Sequence, residues 1–204
     1  MNVATTTGVR LAGRTDLVVR PLRPSDWCAV HELLDGLSHD ARYLRFLRPL
    51  PDIPDWAVDS LCRPDDRDHV ARIATSDRGH AAGIAQYFVH PIDPTIAEVA
   101  VTVATAYQRK GIGRVLLRRL AVEARATGIR SFTYVASPQN RAAMGLMHSL
   151  GATSHFSDGP IEGVVALDML ESTSRATSPV AMDLAESLAG SGPMGRTEWG
   201  CLDG

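Results

Sequence analysis

The chain has 204 residues, enough for one domain with an appendage or for two small ones. Apolar residues make up 45% and charged residues 22%, ordinary globular usage, so a sizeable core is available. A formal net charge of −2 argues against a nucleic-acid binder that relies on a broad basic field.

No apolar run has the length of a membrane span, and the N-terminus lacks the basic-then-apolar layout of a signal peptide. A soluble cytoplasmic protein is expected, with neither nucleic acid nor membrane as partner. Cys28, Cys62 and Cys201 are widely spaced and form no Cys-x-x-Cys pair. That count points to free thiols in a reducing compartment rather than a disulfide framework or a zinc site. His31, His39, His69, His80, His90 and His155 are scattered without ligand spacing, so no metal is expected.

Residues 1–15 are small and polar and read as a loose leader. Leu17-Val18-Val19 is a short strand that Pro21 stops. Ser25 is a helix cap, and Trp27, Val30, Leu33, Leu34 and Leu37 recur at helical spacing to about Gly36. Ser38 caps a second helix, Asp40–Leu47, and Asp55–Cys62 is a third. Three strands follow, His69–Thr75, Ala82–Val89 and Ile96–Val103, joined by the turns Ser76–Gly79 and Pro91–Pro94. Tight connections predict an antiparallel meander. In the third strand Ala97, Val99, Val101 and Val103 share one face, and Glu98, Ala100 and Thr102 share the other.

A helix from Ile112 to Thr127 turns Ile112, Val115, Leu116, Leu120 and Ala124 inward and Arg114, Arg118 and Arg125 mostly outward. Ser131–Ala136 is a buried-type strand, Asn140–Leu150 a helix closed by Gly151, and Ala152–Phe156 with Gly163–Leu170 a last strand pair. The fold class is α+β: a mixed, mostly antiparallel sheet of six to seven strands flanked by helices. From residue 171 to 204, 15 of 34 residues are Ser, Thr, Gly or Pro, and two arginines face five acids, so a tail is expected. Within it Ser178, Pro179, Val180, Leu184, Leu188 and Gly190 predict a short helix over 179–189.

The chemistry concentrates between Glu98 and Asn140. After the strand comes Tyr107-Gln108-Arg109-Lys110-Gly111-Ile112-Gly113-Arg114, a basic turn opening a helix. Unpaired N–H groups at a helix start, with the positive end of its dipole, suit a phosphate. Gly111 and Gly113 let the backbone approach a pyrophosphate closely. A dinucleotide loop would need a third glycine in a parallel strand-helix-strand unit, and a Walker loop would need Gly-Lys-Ser/Thr; both are missing. Two glycines before a helix also serve tight packing, and periodicity alone makes Glu98 an exposed charge on a half-solvated strand.

With these residues the chain resembles the GNAT superfamily of acyl-CoA-dependent N-acyltransferases over Asp16–Leu170. Gln108-Arg109-Lys110-Gly111-Ile112-Gly113 matches the family's Gln/Arg-x-x-Gly-x-Gly/Ala, and Asn140…Leu146…Leu150-Gly151 matches its second CoA-side segment. The resemblance implies acetyl-CoA as cosubstrate. Its pantetheine arm would pair by backbone with Val101, Thr102 and Val103, and its pyrophosphate would meet the amides of Arg109 to Arg114. Gln108 belongs to the same motif, and Asn140 would touch the cofactor arm.

Arg20-Pro21-Leu22-Arg23-Pro24-Ser25-Asp26, Leu37-Ser38…Tyr43-Leu44-Arg45-Phe46 and Ala97-Glu98-Val99-Ala100 look like the GNAT domain of bacterial protein-lysine acetyltransferases. In that branch the strand glutamate is the general base, here Glu98. The implied acceptor is a protein lysine, an acyl-CoA synthetase among the candidates. Some members carry a fused cyclic-nucleotide domain, for which this chain has no room, so that regulation is expected to be absent. Met147 stands where many members have a tyrosine acid, and no acid is assigned; the adjacent His148 reads as a surface residue. The alternatives are acetylation of a small amine and a CoA-binding regulatory module without catalysis; fold alone does not choose among them.

Overall fold

In the computed structural model, residues 7–10, 16–155 and 159–172 are described. The strands are β1 (Thr7–Arg10), β2 (Asp16–Pro21), β3 (His69–Ser76), β4 (Ala81–Val89), β5 (Ile96–Val103), β6 (Ser131–Ala136), β7 (Thr153–His155) and β8 (Ile161–Ala166). The helices are α1 (Trp27–Asp35), α2 (His39–Phe46), α3 (Asp55–Cys62), α4 (Ile112–Ala126), α5 (Arg141–His148) and α6 (Leu167–Ser172). One sheet runs β1-β2-β3-β4-β5-β6-β8-β7. Every pairing is antiparallel except β5 with β6.

The mixed, mostly antiparallel sheet is as expected, with eight strands rather than six or seven. The additional strand is Thr7–Arg10, inside the stretch read as a leader, where Thr7 to Arg10 pair with Val19 to Asp16. A second difference lies at the end of the domain. Gly163–Leu170 was expected to be strand, but the ladder stops where Ala166 pairs with Ser131 and α6 begins at Leu167. Leu167 and Leu170 are three apart and both buried, which is helical spacing. The helix expected over 179–189 lies outside the described residues.

Local chemistry explains the helix ends near the site. Ser38 Oγ accepts from Ala41 N (3.2 Å) at the start of α2, and Asn140 Oδ1 accepts from Ala143 N (3.0 Å) at the start of α5. Ser25, expected as the cap, lies within a 3-10 turn, Pro24–Asp26, and Asp26 precedes α1 instead, accepting from Arg20 Nη1 and Nη2 (2.8 and 2.6 Å) and from Arg23 N (2.8 Å). It ties the end of β2 to the entry of α1. Among the described cysteines, Cys62 is a free, buried thiol.

The sheet has a core on each face. On one, Leu116, Leu117, Leu120 and Ala124 of α4 pack with Tyr87, Ala97, Val99 and Phe132. On the other, Val30, Leu33 and Leu34 of α1 and Val58 and Leu61 of α3 pack with Ile73 and Ile84. β5 therefore has α4 behind its valine face, while its Glu98, Ala100 and Thr102 face looks toward the α1–α3 side. Burying the aliphatic side chains of each layer contributes about 1.5–3 kcal/mol apiece before entropy.

Candidate active site

Parallel pairing between β5 and β6 covers only Ile96 with Ser131, Ala97 with Phe132 and Glu98 with Thr133. Beyond Glu98 the two strands part, and among the described residues β5 keeps only β4 as a paired neighbour through Val103. The β6-side edge of Val99 to Val103 is thus an open strand edge inside the sheet, able to pair with an extended ligand.

The glycine turn lies beyond this gap. Arg109 (φ 64°) and Gly111 (φ 84°) are both left-handed, and Gly111 is the cap residue of α4. Such a bend turns successive N–H groups to one side. The amides of Arg109, Lys110, Gly111, Ile112, Gly113 and Arg114 have no acceptor among the described residues. Six donors at the positive end of a helix are an anion site in waiting, and a pyrophosphate fits them.

The two glycines do different work. A side chain at Gly111 would meet nothing within 4 Å, but its φ disfavours one. Gly113 is buried, and a Cβ there would stand 3.0 Å from Leu146 Cδ2 and 3.7 Å from Val103 Cγ2. Its smallness lets α4 sit against β5 and α5. Gln108 donates Nε2 to Val103 O (3.1 Å), fastening the turn to the end of β5. Lys110 donates Nζ to Ala106 O (2.9 Å) above the Tyr107 ring.

Two cations follow on α4. Arg114 donates Nη2 to Ser149 Oγ (2.7 Å), linking α4 to α5. Arg118, one turn on, has a buried Nε without a partner. Burial first, then the Arg114 charge, pull its guanidinium below the ordinary arginine value. Among the described residues neither cation meets a carboxylate, and such a pair favours an anion beside it. Sequence spacing placed Arg118 on the outer face without seeing this; its i+4 relation to Arg114 was the available signal.

At the other end of the gap, the Glu98 carboxylate is exposed and makes no hydrogen bond among the described residues. Sheet register sets Phe88, Glu98, Thr133 and Val164 in one row across four strands. Phe88 is 43% exposed and Val164 40%, so this row is an open platform around the carboxylate. The residue missed by sequence reasoning is Arg45 of α2, half-buried, which donates Nε to Thr102 Oγ1 (2.8 Å). Burial pulls its guanidinium below the ordinary arginine value, while the Glu98 charge pushes it back up.

Asn140 is the cap of α5 through Oδ1, and its amide nitrogen has no acceptor among the described residues. Met147 is buried in the α4-side core. His148 is exposed in a groove lined by Met144, Gly145, Ala152 and Ser154, a lining that includes neither Glu98 nor the glycine turn. Among the described residues no group of three His, Cys, Asp or Glu gathers as metal ligands, and no helix is long and apolar enough to cross a membrane.

An exposed carboxylate, an open strand edge and a turn of unpaired amides suited to a phosphate follow one another from β5 to the start of α4. The chain belongs to the Acetyltransferase (GNAT) family, whose sequence profile matches residues 31–152. An acetyltransferase of Pseudomonas aeruginosa is 31% identical over 138 residues, 66% of this chain and 74% of that relative. Acetyltransferase Pat of Mycolicibacterium smegmatis is 30% identical over 138 residues, 66% of this chain but only 40% of that protein. Among solved structures, the GNAT domain of S. lividans PAT superposes with a TM-score of 0.73 at 27% identity, covering 79% of this chain and 96% of that one. A spermidine N-acetyltransferase from Vibrio cholerae, in complex with CoA and spermine, shares the fold alone: 16% identity, TM-score 0.60, 76% and 98% covered. The chain is a GNAT N-acetyltransferase, and acetyl-CoA fits as its cosubstrate.

Proposed function

We propose that the chain transfers acetyl from acetyl-CoA to a protein lysine, with Glu98 as general base. The observation that carries this reading is the open row of Phe88, Glu98, Thr133 and Val164, a shallow platform with a free carboxylate where β5 and β6 part. An extended protein segment can lie across such a face and lower one side chain to the carboxylate. The likeness to the GNAT domain of S. lividans PAT supports the same reading.

A lysine amine has a pKa near ~10.4 and must lose a proton before it attacks a thioester. Glu98 takes that proton, directly or through a water. The amine nitrogen bonds to the thioester carbon, the carbon–sulfur bond breaks, and CoA leaves as a thiolate. A backbone N–H of Val99–Val101, on the edge that β6 leaves unpaired, steadies the negative charge on the carbonyl oxygen. Val101, Thr102 and Val103 hold the pantetheine arm by backbone, with the Thr102 hydroxyl already engaged by Arg45. The amides of Arg109 to Arg114 take the pyrophosphate, Gln108 fixes the turn that presents them, and Asn140 has its amide nitrogen free for the arm. Holding amine and thioester together supplies much of the acceleration. Met147 is a core side chain, so the thiolate leaves without a dedicated acid from that position.

A polyamine acceptor calls for several carboxylates, whereas the charge whose field reaches Arg45 and lines this face is Glu98. The test is acetyl-CoA turnover with a panel of cell proteins, an acyl-CoA synthetase among them, together with spermidine, amino acids and aminoglycosides, read by mass spectrometry. Acetyl groups on lysine side chains of proteins are expected. Labelling confined to a small amine would overturn the protein-lysine reading. CoA binding with no acceptor labelled would make the chain a regulatory module.

A further inference from the structure

Two arginines one turn apart on α2 spend their donors differently. Arg42 is buried and fully committed to the fold: Nε donates to Leu37 O (3.2 Å), Nη1 to Pro51 O (2.6 Å), and Nη2 to Asp35 O and Oδ1 (2.6 and 2.9 Å). It locks the α1–α2 connection and the chain after α2 together. Arg45 is anchored by one nitrogen only, Nε on Thr102 Oγ1. Its Cζ lies 5.3 Å from the centroid of the Phe46 ring. Neither Nη1 nor Nη2 has an acceptor among the described residues, and neither is sealed from solvent.

Those two nitrogens are a forked pair of donors, held by the Thr102 bond on the face of β5 that also carries Glu98. The guanidinium is always charged, its fork geometry is rigid, and its anchoring by Thr102 has already removed much of its freedom. Its charge also works against the substrate. A protonated amine approaching Glu98 is repelled by Arg45 unless it brings an oxygen that occupies those donors. A lysine within a polypeptide brings such oxygens, because every residue carries a carbonyl. A simple alkylamine or a polyamine brings none.

We propose that Arg45 is an acceptor-positioning residue, whose Nη1 and Nη2 hold a carbonyl or carboxylate oxygen of the acceptor chain beside the lysine presented to Glu98. The proposal rests on the protein-lysine reading and names what that acceptor must offer besides its amine. It also separates Arg45 from acetyl-CoA, whose expected contacts lie on the β5 edge and the glycine turn rather than on the Glu98 face.

The experiment compares wild type, Arg45→Gln and Arg45→Lys on lysine peptides and on n-butylamine at saturating acetyl-CoA. One peptide set has alanine and another has aspartate on either side of the lysine. A lost hydrogen bond to a charged group predicts that Arg45→Gln lowers the peptide-to-butylamine ratio of kcat/KM about tenfold or more. The loss should appear as raised acceptor KM, with acetyl-CoA KM and the melting temperature near wild type. Arg45→Lys, which keeps the charge without the fork, should recover part of the ratio. A loss shared by both peptide sets assigns the oxygen to the main chain, and a loss confined to the aspartate set assigns it to a side-chain carboxylate. Equal loss on peptide and butylamine, or a change in acetyl-CoA KM alone, overturns the proposal. Peptides acetylated equally by wild type and Arg45→Gln overturn it while leaving the protein-lysine reading standing. A wild type that labels no lysine peptide ends both.

Discussion

Glu98 and Thr133 form the last pair in the parallel register between β5 and β6. One step further the strands have no shared ladder, so the candidate base stands at the point where the sheet opens. The gap and the carboxylate are set by the same register, and a slip of one residue would move Glu98 to the α4 face.

That placement makes Glu98→Gln the sharpest variant. Glutamine keeps the shape and cannot accept the proton. With general-base catalysis worth about 10²–10⁴, kcat/KM for the acceptor should fall at least a hundredfold near neutral pH. Acetyl-CoA affinity, measured by calorimetry, should stay within about twofold. The variant should regain rate as pH approaches the lysine value of about 10.4, because the amine then deprotonates unaided. Wild-type turnover at neutral pH would sink the base assignment.

Gly111 and Gly113 should fail in different ways. Gly111→Ala forces a side chain into φ 84° at the centre of the unpaired amides. It should raise acetyl-CoA KM several-fold and cost about 1–2 kcal/mol of stability. Gly113→Ala presses on Leu146 Cδ2 at 3.0 Å and should mainly lower the melting temperature, by a few degrees at about 2–4 °C per kcal/mol. Combining it with Leu146→Ala should return part of that loss relative to Leu146→Ala alone. If Gly113→Ala instead abolished acetyl-CoA binding without touching stability, its role would be in the cradle and not in packing.

Much of this arrangement was readable from residue order. Ile96–Val103 alternates cleanly, so the faces of β5 and the side occupied by Glu98 followed from period two. The glycine turn announced itself by composition, and Ser38 and Asn140 announced two helix starts. What could not be read is what depends on pairing between distant segments. The parting of β5 from β6 after Glu98 is a tertiary register, invisible in either strand alone. Arg45 reaches Thr102 across 57 positions of sequence, and local spacing on α2 does not distinguish it from Arg42. The error at Leu167–Leu170 was of another kind: short apolar runs fit strand and helix alike until the ladder's end is known. Thr7–Arg10 was missed because a strand of four residues at a sheet edge has little apolar pattern of its own.

A stability prediction comes from the loop before β3. Asp65 Oδ1 accepts from Arg67 N, Asp68 N and His69 N at 2.9, 2.8 and 2.8 Å. These donors, the His69 amide foremost, hold the exposed carboxyl below the ordinary carboxylate value of about 3.9. A depressed folded value means the stabilisation is complete above the ordinary value and is lost as pH falls through the folded one. Asp65→Asn should therefore lower the melting temperature at pH 7, with the difference shrinking below about pH 4. A difference that stays constant from pH 7 to pH 3 would show that the charge plays no part.

Cys62 offers the converse sign. Burial first, then the Asp26 and Asp59 carboxylates, push its thiol up to about 11. Only the thiolate is the nucleophile, so at pH 8 an ordinary thiol of pKa about 8.5 is about two hundredfold more ionised than this one. Cys62 is also 2% exposed, so native alkylation by iodoacetamide should be slower still. Peptide mapping by mass spectrometry should find Cys62 unlabelled in the native protein and labelled in urea. The same shift makes the folded state hold its proton longer than the unfolded state, so this group's contribution to stability declines as pH rises above about 8.5. Cys62→Ala should remove that alkaline decline while introducing a small packing loss at neutral pH. Rapid labelling of Cys62 in the native enzyme would mean that α3 opens readily from the sheet face on which Arg45 and Glu98 depend.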